Sequence, residues 1–184
     1  MKHLLLALLL IVLSLNSMAN SPDLSGKYGL SIALGQNRPI LGNEFDDRAD
    51  SEFVFGMYGR YQINRESGLQ LGYTRYEWDH SPTAARIYDL VYMHRLIPRE
   101  YFTPIWGAGL GLVDIANYNV DENLKLGIKA RAGIEYTLSR YWIADFVIDY
   151  QFVNKMIGES DNLTIGEIHA LSAQVIFTYF FGQR

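Results

Sequence analysis

The residues able to do chemistry are few, and their spacing argues against a catalytic grouping. The chain has no cysteine, which excludes disulfides, thiolate metal sites and thiol nucleophiles. It has four histidines. His3 lies at the extreme N-terminus, His80 stands between Asp79 and Ser81 as a solvated loop residue, and His94 falls near the end of an apolar run. His169 is more interesting, two residues after Glu167 and three before Ser172. A histidine and a serine could act as base and nucleophile only if both side chains shared one face. In a strand, residues three apart point to opposite faces, which separates His169 from Ser172. Glu167 and His169 therefore stand only as weak candidates on a common face. No phosphate-cradling loop, metal-ligand spacing or cofactor motif occurs, so no cofactor is expected.

The other chemically notable residues are charges set within apolar segments: Arg60, Lys129, Arg131, Glu135, Asp145 and Asp149, with Lys27, Glu52 and Asp89 in comparable positions. Such charges are tolerable in an interior only when paired and hydrogen-bonded. The pattern reads as an ion-pair network, with a gated cation path as the alternative.

The elements that must carry these residues alternate with period two, the signature of strands. Leu126, Ile128, Ala130, Ala132, Ile134, Tyr136 and Leu138 line one face, against Gly127, Lys129, Arg131, Gly133, Glu135 and Thr137. Trp142, Ala144, Phe146, Ile148, Tyr150 and Phe152 stand against Ile143, Asp145, Val147, Asp149 and Gln151. His169, Leu171, Ala173, Val175, Phe177, Tyr179 and Phe181 stand against Ala170, Ser172, Gln174 and Thr178. Earlier come Tyr28 to Leu34, with Gly29, Ser31 and Ala33 on the second face, and Phe53 to Ile63, with Gly56, Tyr58, Arg60 and Gln62 on it. Segments near 68–78, 86–97 and 102–113 alternate less cleanly and bring the count to eight strands.

A soluble sandwich also alternates. Soluble strands average about 5–6 residues, whereas strands that cross a membrane need about 9–11. Six or seven apolar positions on one face favour the membrane barrel. Connections expected at 36–51, 64–67, 79–85, 98–101, 114–124, 139–141 and 154–163 alternate long and short, as external loops and periplasmic turns do. The 14% aromatic content supports the same reading through its placement. Tyr61, Tyr101, Phe102, Tyr136, Trp142, Tyr179 and Phe181 gather at one level, and Phe53, Trp78, Tyr88, Tyr150 and Phe152 at the other, as two interfacial girdles. The net charge of -4 disfavours a nucleic-acid partner.

Residues 1–19 read as a secretory signal peptide: Lys2 and His3, an apolar run from Leu4 to Leu15, then Ser17-Met18-Ala19 as the cleavage pattern. The apolar run is short for a spanning helix, which needs about 20 residues. Residues 20–184 are then the barrel.

Thr103-Pro104-Ile105-Trp106-Gly107-Ala108-Gly109-Leu110-Gly111 resembles the fifth strand of small outer-membrane barrels of the OmpA, OmpX and OmpW type. Ala132-Gly133-Ile134-Glu135-Tyr136-Thr137-Leu138-Ser139, followed by Trp142, is similar to their sixth strand and turn. Phe177-Thr178-Tyr179-Phe180-Phe181 resembles the C-terminal signal read by the barrel-assembly machinery, although Gly182-Gln183-Arg184 follow where that signal normally stops. The resemblance implies an all-β, transmembrane, antiparallel eight-stranded up-and-down barrel, exported by a Sec-type route to the outer membrane of a Gram-negative bacterium. It implies a monomer among outer-membrane lipids and lipopolysaccharide. Because this architecture hosts adhesins, tethers, channels and enzymes, it does not choose among them.

The leading expectation is a structural or surface-interaction role (envelope integrity, adhesion or lipopolysaccharide contact) with a plugged polar interior. A narrow, porin-like channel for small or apolar solutes and a lipid A-modifying enzyme are the alternatives. The lipid A 3-O-deacylases are small barrels with an outward His-x-Ser dyad; the nearest counterpart here, Asp149-Tyr150-Gln151, has neither residue. No motif supports a lipid A palmitoyltransferase. The short turn at 139–141 limits the register of the strands it joins, and residues that face each other must have numbers summing to an even value. A sum of 280 sets Arg131 opposite Asp149 and Glu135 opposite Asp145, whereas 278 sets Lys129 opposite Asp149. In the first register the two facing carboxylates would repel unless a base such as Arg60 reached them or one took up a proton.

Overall fold

A computed structural model describes residues 22–41, 52–77, 84–97, 102–116, 124–153, 156–157, 164–165 and 168–181. The expected signal peptide, His80, Trp78, Tyr101, Glu167 and the C-terminal tail lie outside the described residues.

Eight long strands are present: β1 Tyr28–Leu41, β2 Glu52–Gln62, β3 Ser67–Glu77, β4 Ala84–Arg95, β5 Phe102–Ala116, β6 Leu124–Thr137, β7 Trp142–Val153 and β10 Ile168–Phe181. Two short strands, β8 Met156–Ile157 and β9 Thr164–Ile165, pair only with each other. The long strands close in the order β1-β10-β7-β6-β5-β4-β3-β2, each antiparallel to its neighbours. Closure leaves no unpaired edge, which every backbone group of a strand in lipid requires.

The register can be followed once around the wall. Tyr28 pairs with Tyr61, Tyr61 with Leu69, Leu69 with Tyr92, Tyr92 with Ala108, Ala108 with Ala130, Ala130 with Tyr150, Tyr150 with Leu171, and Leu171 with Arg38. The circuit returns to β1 ten residues beyond its start (38 − 28). That stagger tilts the strands and, with eight of them, leaves an interior that side chains can fill.

Parity then sorts the residues. Leu30 is 64% exposed and Leu126 60%, while Ala33 and Lys129 are both at 0%. Most exposed large side chains are therefore apolar and face out, while the charges of β6 and β7 at Lys129, Arg131, Glu135, Asp145 and Asp149 face in, the reverse of a soluble barrel. Along β7 the inward residues, from the end with the short turns to the end with the long loops, are Ile143, Asp145, Val147, Asp149, Gln151 and Val153, all buried. This one strand records the layering of the whole lumen. Leu24, Ile143 and Phe180 cluster at the turn end. Ala33, Tyr58, Val91, Met93, Ile105, Val147 and Ile176 form an apolar layer in the middle. Charged layers lie on either side of it.

The structure corrects several boundaries. β1 continues to Leu41, inside the expected 36–51 loop. Gln36, Asn37 and Arg38 give no apolar alternation, yet the ladder with β10 persists until the register shifts between Pro39 and Leu41. Proline cannot donate to a ladder, which places the irregularity there. β5 likewise runs to Ala116, and β8 and β9 occupy part of the expected 154–163 loop and its flank. The expected connections at 79–85 and 98–101 lie mostly outside the described residues, although Ala84 and Ala85 already belong to β4. β4 starts earlier and ends earlier than its apolar run suggests, leaving Leu96 and Ile97 exposed beyond Arg95.

Tyr136 and Ala144, which pair across β6 and β7, keep outward parity but are 3% and 2% exposed. The ring of Phe102 stacks on Tyr136 with centroids 4.5 Å apart. The girdle at this level is thus a packed aromatic layer rather than isolated rings. Trp142 against Tyr179 at 5.0 Å and Tyr28 against Tyr61 at 4.8 Å continue it.

Candidate functional site: the ion-paired lumen

Four strands contribute to the charged layer nearest the turns. The β6–β7 register sums to 280, so Glu135 faces Asp145. Arg60, reaching in from β2, donates from Nη1 to Asp145 Oδ2 and from Nη2 to Glu135 Oε2, both at 2.7 Å. Arg95 of β4 donates from Nε to Glu135 Oε1 at 2.7 Å and from Nη2 to Oε2 at 2.8 Å. Its Nη1 also reaches the Arg65 carbonyl at 3.3 Å. Two guanidinium groups and two carboxylates form one neutral chain, Asp145–Arg60–Glu135–Arg95. The Arg60 guanidinium lies 5.8 Å from the Phe180 ring centroid, where a cation–π contact adds to the pairing.

The layer nearer the loops is built differently. The same register sets Arg131 opposite Asp149. Arg131 donates from Nε and Nη2 to the two Asp149 oxygens at 2.6 Å each, a bidentate fork. Its Nη1 donates to Gln70 Oε1 at 3.0 Å. Lys129 pairs with Asp89 of β4, and its Nζ also lies 3.8 Å from Asp149 Oδ2. Gln174 of β10 donates to Asp149 Oδ2 at 3.3 Å and to Ser172 Oγ at 2.8 Å. Two bases again meet two acids.

Tyr58 joins this layer to the apolar one. Its ring packs in the middle layer while its hydroxyl shares a hydrogen bond with Thr74 at 2.7 Å and donates to Gln174 Oε1 at 3.3 Å. The ring lies over Gly72, its register partner, where a Cβ would collide with it. Glycine is required there by close approach.

Of the residues singled out in the sequence, Arg60, Lys129, Arg131, Glu135, Asp145 and Asp149 all lie in these two layers, joined by Asp89. Lys27 sits outside them, half-buried at the turn end with Nζ 5.7 Å from the Tyr141 centroid. The side chain of Glu52 is outside the described ones. Arg95 was missed. Ile87, Asp89, Val91, Met93 and Arg95 share one parity on β4, which would have placed Arg95 inside, but the apolar residues on that inward face hid the alternation.

His169 faces outward and is half-buried, sharing a hydrogen bond with the Tyr150 hydroxyl through Nδ1 at 2.5 Å. Phe152 lies 5.1 Å from its ring. Ser172 is 3% exposed inside the lumen, so the wall separates it from His169. His94 packs against Trp106 at 5.5 Å in the girdle at the turn end. Among the described residues no group of three His, Asp, Glu or Cys side chains could hold a metal.

No sequence family matches the chain, and no curated protein is similar to it in sequence. Solved structures do match. Neisserial surface protein A is 16% identical, with a TM-score of 0.66 over 85% of this chain and 98% of that one. The N-terminal β-barrel domain of Pseudomonas aeruginosa OprF is 18% identical, with a TM-score of 0.59 over 85% and 98%. The outer membrane protein OprG of Pseudomonas aeruginosa is 12% identical, with a TM-score of 0.57 over 89% and 99%. Closed antiparallel topology, an apolar exterior and an ion-paired interior thus coincide with these likenesses: the chain has the fold of the small eight-stranded outer-membrane β-barrels.

Proposed function

We propose that the chain is an integral outer-membrane barrel with a non-enzymatic role in envelope structure or surface interaction, and that its lumen is a plug. The reading is supported by the described inward side chains, which form neutral charged layers on either side of an apolar one. A conducting path would have to break ion pairs buried to 4% side-chain exposure or less, such as Arg60–Glu135 and Arg131–Asp149. An enzyme acting on lipid would need a nucleophile beside a base on the outer face, and His169 faces Tyr150 and Phe152 there instead. The matched Neisserial protein is a surface protein by name, which agrees with loops that meet the surroundings.

On this reading the protein is secreted with removal of residues 1–19, inserted by the assembly machinery through its C-terminal strand, and monomeric because the sheet has no free edge. Its neighbours are membrane lipids and lipopolysaccharide. Planar-bilayer conductance together with mass spectrometry of lipid A, from cells with and without the protein, tests the proposal. Neither current nor altered lipid A is expected; a stepwise conductance favours the channel, and a changed acyl pattern the enzyme. Orientation has its own test. A tag at Asp47 should be reached by antibody on intact cells and one at Arg65 should not.

A further inference from the structure

The chain enters the barrel through a turn that places a side chain inside the lumen. The Leu24 carbonyl accepts from the Lys27 N–H at 3.0 Å, closing a β-turn over Leu24-Ser25-Gly26-Lys27. Gly26 occupies the third position with φ +74°, where a type II turn requires glycine. A Cβ there would meet nothing within 4 Å, so conformation and not space selects the glycine. Asp23 shapes the same turn by accepting from the Ser25 N–H and hydroxyl at 3.0 and 2.5 Å. The turn is anchored on β2 and on the connection after it. The Gly26 N–H donates to the Gln62 carbonyl at 2.7 Å and the Gln62 N–H to the Lys27 carbonyl at 3.0 Å, which extends the β1–β2 ladder past Tyr28. Asp23 also meets Arg65 at 3.2 Å.

Leu24 precedes the first strand, yet it is 5% exposed and clusters with Ile143 of β7 and Phe180 of β10. Both partners face inward and are fully buried, so Leu24 lies within the mouth at the turn end. It also crosses the seam of the barrel, where the first long strand pairs with the last. Behind it the Phe180 ring stands 5.8 Å from the Arg60 guanidinium, and Arg60 holds both carboxylates of the turn-end layer. Fixing residues 22–27 in one conformation costs backbone entropy. The buried leucine, the turn and the two ladder bonds offset that cost.

We propose that residues 22–27 form a cap on the turn-end mouth of the lumen, with Leu24 as its stopper. The cap keeps water from the Asp145–Arg60–Glu135–Arg95 chain at that end. It stands apart from the wall, so it can open while the pairing of all eight long strands stays intact. Opening releases only the two bonds to Gln62, the Asp23–Arg65 contact and the packing of Leu24.

The chain has no cysteine, so one introduced thiol reports access without background. Ile143→Cys places a thiol under Leu24, and Val147→Cys places one in the middle apolar layer. The intact barrel, folded in detergent micelles, is to be treated with a charged, water-soluble thiol reagent, and labelling followed in time by mass spectrometry. Beneath the unchanged cap, position 143 should label slowly. Leu24→Ala should raise that rate about 10-fold, the size expected when most of a buried leucine side chain is removed. Gly26→Val should accelerate it too, through the backbone, because a β-branched residue resists a positive φ. Gly26→Asn tolerates that conformation and should leave the rate near the original. Position 147 should stay slow in every variant, and each should keep the heat-modifiable mobility of a folded barrel. Fast labelling of position 143 beneath the unchanged cap overturns the proposal, as does an unchanged rate in Leu24→Ala and Gly26→Val. Equal acceleration at positions 143 and 147 also overturns it, since the whole barrel would then be loosened. A conductance through the lumen would refute the plug and leave these rates as they are, so the two readings fail separately.

Discussion

The two charged layers contain the same ingredients, two bases and two acids, but neutralise them by different routes. In the layer near the loops, the register itself sets base against acid, and the Arg131–Asp149 partners are 18 residues apart in sequence. In the layer near the turns, the register sets Glu135 against Asp145, and compensation must come across the lumen. Arg60 reaches them over 75 and 85 residues of chain, and Arg95 reaches Glu135 over 40. A hairpin can assemble much of the first layer, whereas the second is complete only when β2 and β4 are in place. The turn-end layer thus depends on other strands for both of its acids, whereas the loop-end layer needs another strand, among its ion pairs, only for Lys129–Asp89.

The largest loss of stability is expected from Arg60→Met. Removing one member of a buried ionic group costs about 3–5 kcal/mol, and here two carboxylates are left facing each other, so the upper part of that range is expected in urea unfolding from lipid vesicles. Adding Asp145→Asn should recover part of the loss, because it removes the repulsion that Arg60 had masked. A double variant weaker than Arg60→Met would mean the facing carboxylates are not the problem.

In the other layer, Asp149→Ala should cost less, towards the lower part of about 3–5 kcal/mol. Arg131 would keep Gln70 and Lys129 would keep Asp89. Adding Arg131→Ala should cost less than the two single changes summed, the mark of directly coupled partners. Strict additivity would remove the pair from the account. A control separates lumen charge from membrane depth. Ala132 lies on the outer face between the girdles, and Ala132→Arg should cost about 2–4 kcal/mol if that face meets the bilayer midplane. Unchanged unfolding would place Ala132 away from lipid.

Much of this was legible in the sequence where one physical constraint acted alone. Parity on β6 and β7 separated lipid-facing from inward residues, and a short turn left few even register sums, among them the one adopted. Where two constraints competed, legibility failed. Arg95 was hidden because β4 is apolar on both faces. The extension of β1 through Asn37 was hidden because a ladder rising beyond the apolar belt no longer needs apolar alternation. The burial of Tyr136 and Ala144 was hidden because parity fixes direction only, while exposure depends on the ring of Phe102 from the adjacent strand. Arg60 could be proposed as a bridge from its charge and parity, but its simultaneous bonds to both carboxylates depend on strands brought together by closure.

The smallest expected effect lies just outside the turn-end layer and sharpens the contrast between buried and exposed pairs. The Arg65 carbonyl accepts from Arg95, while the Arg65 side chain meets Asp23 at 3.2 Å in solvent. Asp23 accepts from the hydroxyl and the backbone N–H of Ser25 at 2.5 and 3.0 Å, and these bonds, with Arg65 adding less, lower its pKa from 3.8 to about 2. A carboxylate with a depressed pKa in the folded state contributes stability above its unfolded value and loses it as pH falls through the folded one. Asp23 therefore contributes fully above about pH 4, and that contribution disappears towards pH 2. Exposed pairs are worth little, so Asp23→Asn should lower the unfolding midpoint only slightly at pH 7. The gap between the two proteins should close between pH 4 and pH 2 in parallel unfolding titrations. A gap that stays constant through that window would show that Asp23 acts through the shape of its turn and not through its charge.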